Sequence, residues 1–269
     1  MKKGLVIILI ALMVLSLVSC AADSQGEQTE QFTLKVGFDA EYPPFGYIDD
    51  AGAYDGFDLA LAEEACERLG WKMEKVAIAW DSKDAELQSG NINCIWNGFT
   101  INGREDDYTW TVGYYDNSIV MVVRADSGIK TLADLAGKTV ITQAGSSALT
   151  ALEGDSKDLT ATFAKLLETA DYNSAYMELD AGAVDAIAVD VGVANYYMAS
   201  KSGSYAILDE AIASEQYGVG FLKGNTETMY LVQGVLLEMA ADGTMEAIAA
   251  DYTEMGLVVE SLVYPKAFD

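Results

Sequence analysis

From Phe32 onward the apolar positions switch between two periods. Residues 33–38 alternate as a strand does, whereas Phe57, Leu61, Ala65 and Leu69 recur at helical spacing until Gly70 ends the run. Residues 72–78 read as a strand, 82–89 as a helix closed by Gly90, and 92–96 as a strand. That succession is a βαβαβ unit, which predicts an α/β architecture with a parallel sheet flanked by helices. A β-rich run at 118–123 leads away from it.

A second series starts at Thr131. Residues 132–135 are helical and stop at Gly137, and 139–142 form a strand. Gly145-Ser146-Ser147 opens a helix that runs to Leu152, and 161–166 is strand-like again. Asn173 is expected to cap a helix ending at Asp180, followed by a strand at 184–189 and a helix at 191–200. Residues 205–208 and 217–222 are β-like returns, and helices at 226–240 and 245–252 close the pattern. The two series share a faint repeat. Leu87, Gly90, Asn93 and Ile95 recur at an offset of 92 as Leu179, Gly182, Asp185 and Ile187, and Gly98 maps onto Asp190 at the same offset. Ligands of open α/β sheets bind beyond the carboxyl ends of strands. Two such halves facing each other would set Arg104 and Asp190 on opposite lips of one cleft.

The segment before Phe32 has a different character. Lys2 and Lys3 precede an uncharged apolar run, 4–19, that is short for a membrane span and reads as an export leader. It ends Leu17-Val18-Ser19-Cys20, which resembles a bacterial lipobox. Lipidation there would leave Cys20, carrying diacylglyceryl and palmitate-type chains, as the first residue of an extracytoplasmic protein anchored to the cell membrane. Residues 20–31 then form a flexible polar tether. A plain cleaved leader or an uncleaved anchor is the alternative.

Composition narrows the function. The chain has 42 acidic and 16 basic residues, a net charge of −26 that becomes −28 once Lys2 and Lys3 are removed. Such a balance argues against nucleic acid and against adsorption on anionic lipid. The chain has no histidine, and Cys66 and Cys94 lack the spacing of a metal site, so no metal and no cofactor is expected. The two thiols fall on apolar faces; two buried free thiols are favoured, with one helix-to-sheet disulfide left open.

Arg104 stands out in this setting, one short loop beyond an apolar strand in the run Trp96-Asn97-Gly98-Phe99-Thr100-Ile101-Asn102-Gly103-Arg104. A guanidinium suits a carboxylate, and Thr100 with the amides near Gly98 can complete the anion's hydrogen bonds. Pairing with Glu105, Asp106 or Asp107 at the surface is the competing reading. Asp190 likewise suits either an ammonium or the N-cap of the helix that follows it.

Taken in order, Val36-Gly37-Phe38-Asp39, Tyr42-Pro43-Pro44-Phe45, Gly56-Phe57-Asp58-Leu59, Gly98-Phe99-Thr100 with Arg104, Asp134 to Val140, and Leu179 to Asp190 resemble the bacterial extracellular solute-binding proteins of family 3. These deliver polar amino acids to ABC importers, and the resemblance covers about residues 33–262. It implies a two-lobed periplasmic-binding-protein-like fold of type II with a ligand cleft between lobes. Lobe 1 would take 32–120 and 216–269, and lobe 2 would take 121–215, with a hinge near 118–124 and 214–220. It also implies a monomer that hands a free amino acid, polar or neutral, to the membrane permease subunits.

By the same resemblance Arg104, Thr100 and Gly98 would hold the ligand carboxylate with Ser146 and Ser147, and Asp190 would hold the ammonium with Asp39 nearby. Tyr42 and Trp80 would sandwich the side chain, and Asn97 and Gln143 would read its polarity. The family places its Arg five residues beyond the first Thr, but Arg104 is four beyond Thr100; the Asn102-Gly103 turn shortens the loop. A ligand-sensing domain for a signalling partner, or a dehydratase on the same scaffold, are the alternatives. No catalytic residue stands out, so an enzyme is not expected.

Overall fold

The computed structural model describes residues 31–263. The leader, Cys20 and the tether up to residue 30 lie outside the described residues.

In the first half, β1 (Thr33–Phe38) is followed by a small sheet of β2 (Glu41–Tyr42), β3 (Gly46–Ile48) and β4 (Tyr54–Asp55). Then come α1 (Phe57–Leu69), β5 (Lys72–Ala77), a 3-10 turn at Trp80–Ser82, α2 (Lys83–Ser89), β6 (Cys94–Ile95) and β7 (Tyr108–Trp110). The long β8 (Tyr115–Arg124) leads into the second half. There β9 (Thr139–Gln143), α3 (Ser147–Glu153), α4 (Lys157–Thr160), β10 (Lys165–Thr169), α5 (Tyr172–Ala181), β11 (Ala186–Asp190), α6 (Val191–Ser200) and β12 (Tyr205–Ile207) follow in turn. The chain returns through β13 (Ala213–Tyr217) and β14 (Gly220–Leu222) to α7 (Thr226–Asp242) and α8 (Thr244–Asp251).

These strands build two main sheets. In the first, β1 lies between β5 and β6, parallel to both, and β14 and β7 extend it antiparallel. In the second, β9 lies between β10 and β11 in parallel, and β8 pairs antiparallel with β11, β12 and β13. The central strands β9 and β11 are buried on both faces, as parallel sheets require. In β11, Ala186 and Ala188 pack into one cluster while Ile187 and Val189 pack into another. The chain changes sheets between Tyr217, the last residue of β13, and Gly220, the first of β14. The apolar run 217–222 therefore splits, and only Gly218 and Val219 join the halves there.

The repeat in the sequence has a structural counterpart. Gly90 and Gly182 each end a helix at positive φ, 79° and 72°. Asn93 then exchanges two bonds with Lys35, accepting its N–H on Oδ1 at 2.8 Å and donating its own to the carbonyl at 2.8 Å. Asp185 does the same with Thr139, at 2.9 and 2.8 Å. Each acceptor side chain starts the pairing of a central strand, which is why a short polar residue recurs at that offset.

Two local expectations need correction. Asp171 rather than Asn173 caps α5, because its Oδ1 reaches the N–H of Ser174 at 2.6 Å. Asn173 sits inside the first turn, where its Oδ1 accepts from Tyr197 OH. The strand expected at 161–166 begins at Lys165, because α4 carries the chain to Thr160 and turns occupy the next residues. Cys66 and Cys94 are both free and buried, and burial pushes both thiols up, Cys66 to about 11.

Asp58, in the first turn of α1, links the fold to the loop beyond β6. It is fully buried and accepts the Gly98 N–H on Oδ2 and the Tyr114 hydroxyl on Oδ1 at 2.8 Å. Burial raises its carboxyl to about 7, although both hydrogen bonds oppose the rise. Its proton is therefore held more tightly in the folded chain, so its contribution to stability is full at acid pH and declines as pH rises towards 7. Asp58→Ala, which orphans two buried donors, is expected to lower unfolding free energy by at least about 2 kcal/mol. Asp58→Asn should cost less and should reduce the loss of stability between pH 5 and 8; urea titrations at the two pH values measure both.

Candidate functional site

The loop after β6 owes its path to glycine. Gly98 has φ of +53°, and a Cβ there would lie 2.8 Å from the Tyr42 ring. With Asp58 fixing its N–H, the loop runs against β13, where Thr100 bridges to Tyr217 and the Ile101 N–H donates to the Gln216 carbonyl at 2.9 Å. A tight turn then closes from Arg104 N–H to Ile101 carbonyl at 2.9 Å, with Gly103 at φ +77°. Trp110 Nε1 donates to the Arg104 carbonyl at 2.9 Å and steadies the turn.

The shortened loop aims the guanidinium inward. It stands over the Phe99 ring, 5.3 Å from the centroid, and donates to the carbonyls of Thr100 and Gly145, each at 3.3 Å. Among the described residues no carboxylate lies within 4.0 Å of it, so Glu105, Asp106 and Asp107 are not its partners. The Gly145 bond reaches across to the other half.

Asp190 ends β11, 2% exposed. It occupies the N-cap position of α6 but makes no side-chain capping bond. Its Oδ1 instead accepts from Tyr217 OH and from Asn117 Nδ2, both at 2.6 Å. No Lys or Arg among the described residues lies within 4.0 Å of this carboxylate either. Both donors come from the strands that connect the halves, since Asn117 lies on β8 and Tyr217 on β13.

Between these two charges is one cavity, lined by Tyr42, Trp80, Asn97, Gly98, Thr100, Arg104, Gln143, Ser146, Ser147 and Asp190. It thus collects every site residue expected from the sequence except Asp39. That residue stands behind the wall, accepting from Gln143 Nε2 at 2.6 Å and from the Glu41 N–H at 2.8 Å. Burial is the main reason its carboxyl is raised. Trp80 is 7% exposed and meets Phe99 edge-on at 5.6 Å, so it serves the core and the wall together. Asn97 Oδ1 accepts the Asp39 N–H at 3.0 Å, while its buried Nδ2 has no partner.

The two serines are already engaged. Ser146 Oγ accepts the Leu149 N–H at 3.1 Å as the N-cap of α3, and Ser147 Oγ donates to Glu215 Oε1 at 3.2 Å. The halves are drawn together by Gln143 to Asp39, by Arg104 to Gly145, and by Lys83 Nζ, which donates to the Gly145 carbonyl at 3.1 Å. Lys83 is 5% exposed, and burial followed by the nearby Arg104 charge pulls its ammonium down. Closure leaves about 10 Å³ for the centre of a water molecule, room for one water.

Sequence reasoning missed Glu215, Asn117, Tyr217 and Lys83. Asn117 and Glu215 face each other in the β8–β13 ladder. Polar residues in a short strand such as Ser214-Glu215-Gln216-Tyr217 look solvent-exposed until that pairing turns alternate positions toward the cleft. Lys83 reads as the exposed start of a helix, but its ammonium lies over the Trp80 ring and against the Gly145 carbonyl.

Two lobes, two crossing strands and a polar cavity with an unpaired charge on each lip define a solute-binding protein of the bilobal type. The model for bacterial extracellular solute-binding proteins, family 3, matches residues 34–255, and the chain belongs to that family. It is similar to the L-cystine-binding protein TcyJ of Escherichia coli strain K12, 30% identical over 224 residues that cover 82% of each chain. Among solved structures it resembles an ABC uptake transporter substrate-binding protein from Streptococcus pneumoniae with bound histidine. There the TM-score is 0.80 at 28% identity, covering 84% of this chain and 94% of that one. An ancestral arginine-binding protein bound to glutamine superposes with a TM-score of 0.76 at 34% identity, covering 83% and 99%.

Tyr217 is the neutral support of the buried Asp190 charge. Tyr217→Phe is expected to lower the stability of the ligand-free protein by about 1.5–3 kcal/mol, the range for a hydrogen bond to a charged group. Denaturant unfolding without ligand measures it; an unchanged midpoint would show that Asn117 and neighbouring dipoles suffice.

Proposed function

We propose that the cleft captures a free α-amino acid and presents it to an ABC importer. The single observation that carries the reading is the pair of charges that have no counter-ion among the described residues, Arg104 on one lip and Asp190 on the other, facing one cavity. An α-amino acid supplies a carboxylate for the first and an ammonium for the second at a fixed separation. The guanidinium takes the carboxylate in its bidentate fork, with Thr100, Gly98, Ser146 and Ser147 around it. Asp190 takes the ammonium, and Tyr42 and Trp80 enclose the side chain.

The unpartnered Asn97 Nδ2 and the Gln143 amide favour a polar or neutral side chain. The names of the similar proteins carry cystine, histidine, arginine and glutamine, which all share the α-amino acid head.

A cavity with room for one water does not hold an amino acid, so entry requires the lobes to part. In this reading lobe 1 is 32–120 with 216–269 and lobe 2 is 121–215, and the crossing strands flex. The ligand then replaces the cross-cleft bonds to Gly145 and Asp39 as the lobes close again. The protein works outside the cytoplasm as a monomer held at the membrane by lipidated Cys20, and passes its cargo to the permease subunits.

Calorimetry with a panel of amino acids that includes glutamine, arginine, histidine and cystine tests this. At least one is expected to bind below millimolar. Arg104→Ala and Asp190→Asn should each weaken that binding by more than about 2 kcal/mol, because each strands a desolvated ligand charge. Parental affinity in Arg104→Ala would refute the clamp.

A further inference from the structure

Glu215 is a buried acid at the cleft that the clamp does not use. It projects from β13 and is 7% exposed. Its Oε1 accepts from Thr100 Oγ1 at 2.8 Å, from Asn117 Nδ2 at 2.8 Å and from Ser147 Oγ at 3.2 Å. Those donors come from the Arg104 loop, from β8 and from the start of α3, so one oxygen gathers both sides of the cleft. The same Asn117 Nδ2 donates to Asp190 Oδ1 at 2.6 Å. Two buried carboxyl groups therefore stand within reach of one nitrogen. Among the described residues no Lys or Arg lies within 4.0 Å of either.

Like charges so placed do not both ionise. Burial, and after it the Asp190 charge, push the Glu215 carboxyl up to about 8, against the pull of the Asn117 and Thr100 bonds. The other groups that face it do not reverse this. Tyr217 and Tyr172 feel its charge only as hydroxyls. Arg104 and Asp155, of opposite sign, share the wall of one outer cavity with Glu215, and Asp116 lines another.

We propose that Glu215 carries a proton in the empty protein and gives it up as the ligand's ammonium docks beside Asp190, so that each amino acid captured releases one proton. The coupling rests on the amino-acid reading of the cleft. The ammonium is the cation that the two carboxyls lack; once it arrives, Glu215 gains more by ionising than by donating to Asp190. The proton leaves the Glu215 oxygen for water, and no other bond changes. Affinity then rises with pH below the titration of Glu215 and levels off above it.

Calorimetry with L-glutamine and L-arginine at pH 7, in phosphate and in Tris, counts the protons, since neither ligand's side chain titrates between pH 5.5 and about 8. For the parent, the heats should differ by the buffer heat of nearly one proton. Its affinity should climb close to tenfold per pH unit from about 5.5 to 7. Glu215→Gln, which keeps the acceptor oxygen and a donor toward Asp190, should show equal heats and a flat affinity. Equal heats in the parent overturn the coupling. A ligand-free arm separates this failure from that of the transport reading. In carboxyl-13C-labelled protein, a glutamate carbon absent from Glu215→Gln should titrate near 8. Titration of that carbon near the ordinary 4.5 refutes the coupling alone. Absence of binding by every amino acid refutes the amino-acid reading and the coupling with it.

Discussion

The cleft is organised around the buried Asp190 carboxylate, beside which no Lys or Arg stands within 4.0 Å among the described residues. Asp190 is 2% exposed and accepts from the Tyr217 hydroxyl and the Asn117 amide. A carboxylate taken out of water without a counter-ion is costly, and two dipoles offset only part of the cost. Its position therefore depends on the rest of the fold. β11 delivers it at a strand end, and Tyr217 is clamped between Phe45, edge-on at 5.2 Å, and Tyr115, stacked at 5.9 Å. Arg104 mirrors this on the opposite lip, a cation that donates to the Thr100 and Gly145 carbonyls. Each charge lacks what a zwitterion carries.

The crossing strands make the charge sensitive to lobe position. Asn117, Glu215 and Tyr217 all lie in the β8–β13 ladder, and only Gly218 and Val219 separate it from the other sheet. A rotation at Gly218 and Val219 moves the supports of Asp190 relative to Thr100 and Gly98. In the proposed reading, closure assembles the site, because the residues proposed to hold the ligand are themselves held by the crossing strands. The bonds to Gly145 from Arg104 and Lys83 tie the two halves together, and neither joins opposite full charges. Neutral acceptors of this kind are readily exchanged for a ligand carboxylate.

Much of this is legible in the residues, for reasons that differ from place to place. α1 is readable to the residue because its apolar face is amphipathic and Gly70 terminates it. The offset of 92 is readable because Asn93 and Asp185 perform one task in two sheets. The ten cavity residues were accessible through family resemblance, with Arg104 and Asp190 also accessible through charge. The cap of α5 was misassigned to Asn173 because Asp171 and Asn173 both suit an N-cap, and only the reach to Ser174 separates them. Glu215 and Lys83 were illegible for a deeper reason. Their burial is created by contacts between segments distant in sequence, 115 residues apart for Thr100 and Glu215 and 62 for Lys83 and Gly145.

The most direct test of the zwitterion clamp is a crystal structure of the protein with the amino acid it binds most tightly. The ligand carboxylate is expected on the Arg104 guanidinium and its ammonium on Asp190, with the side chain between Tyr42 and Trp80. A ligand bound with its ammonium away from Asp190, or with Arg104 still on the Gly145 carbonyl, would contradict it.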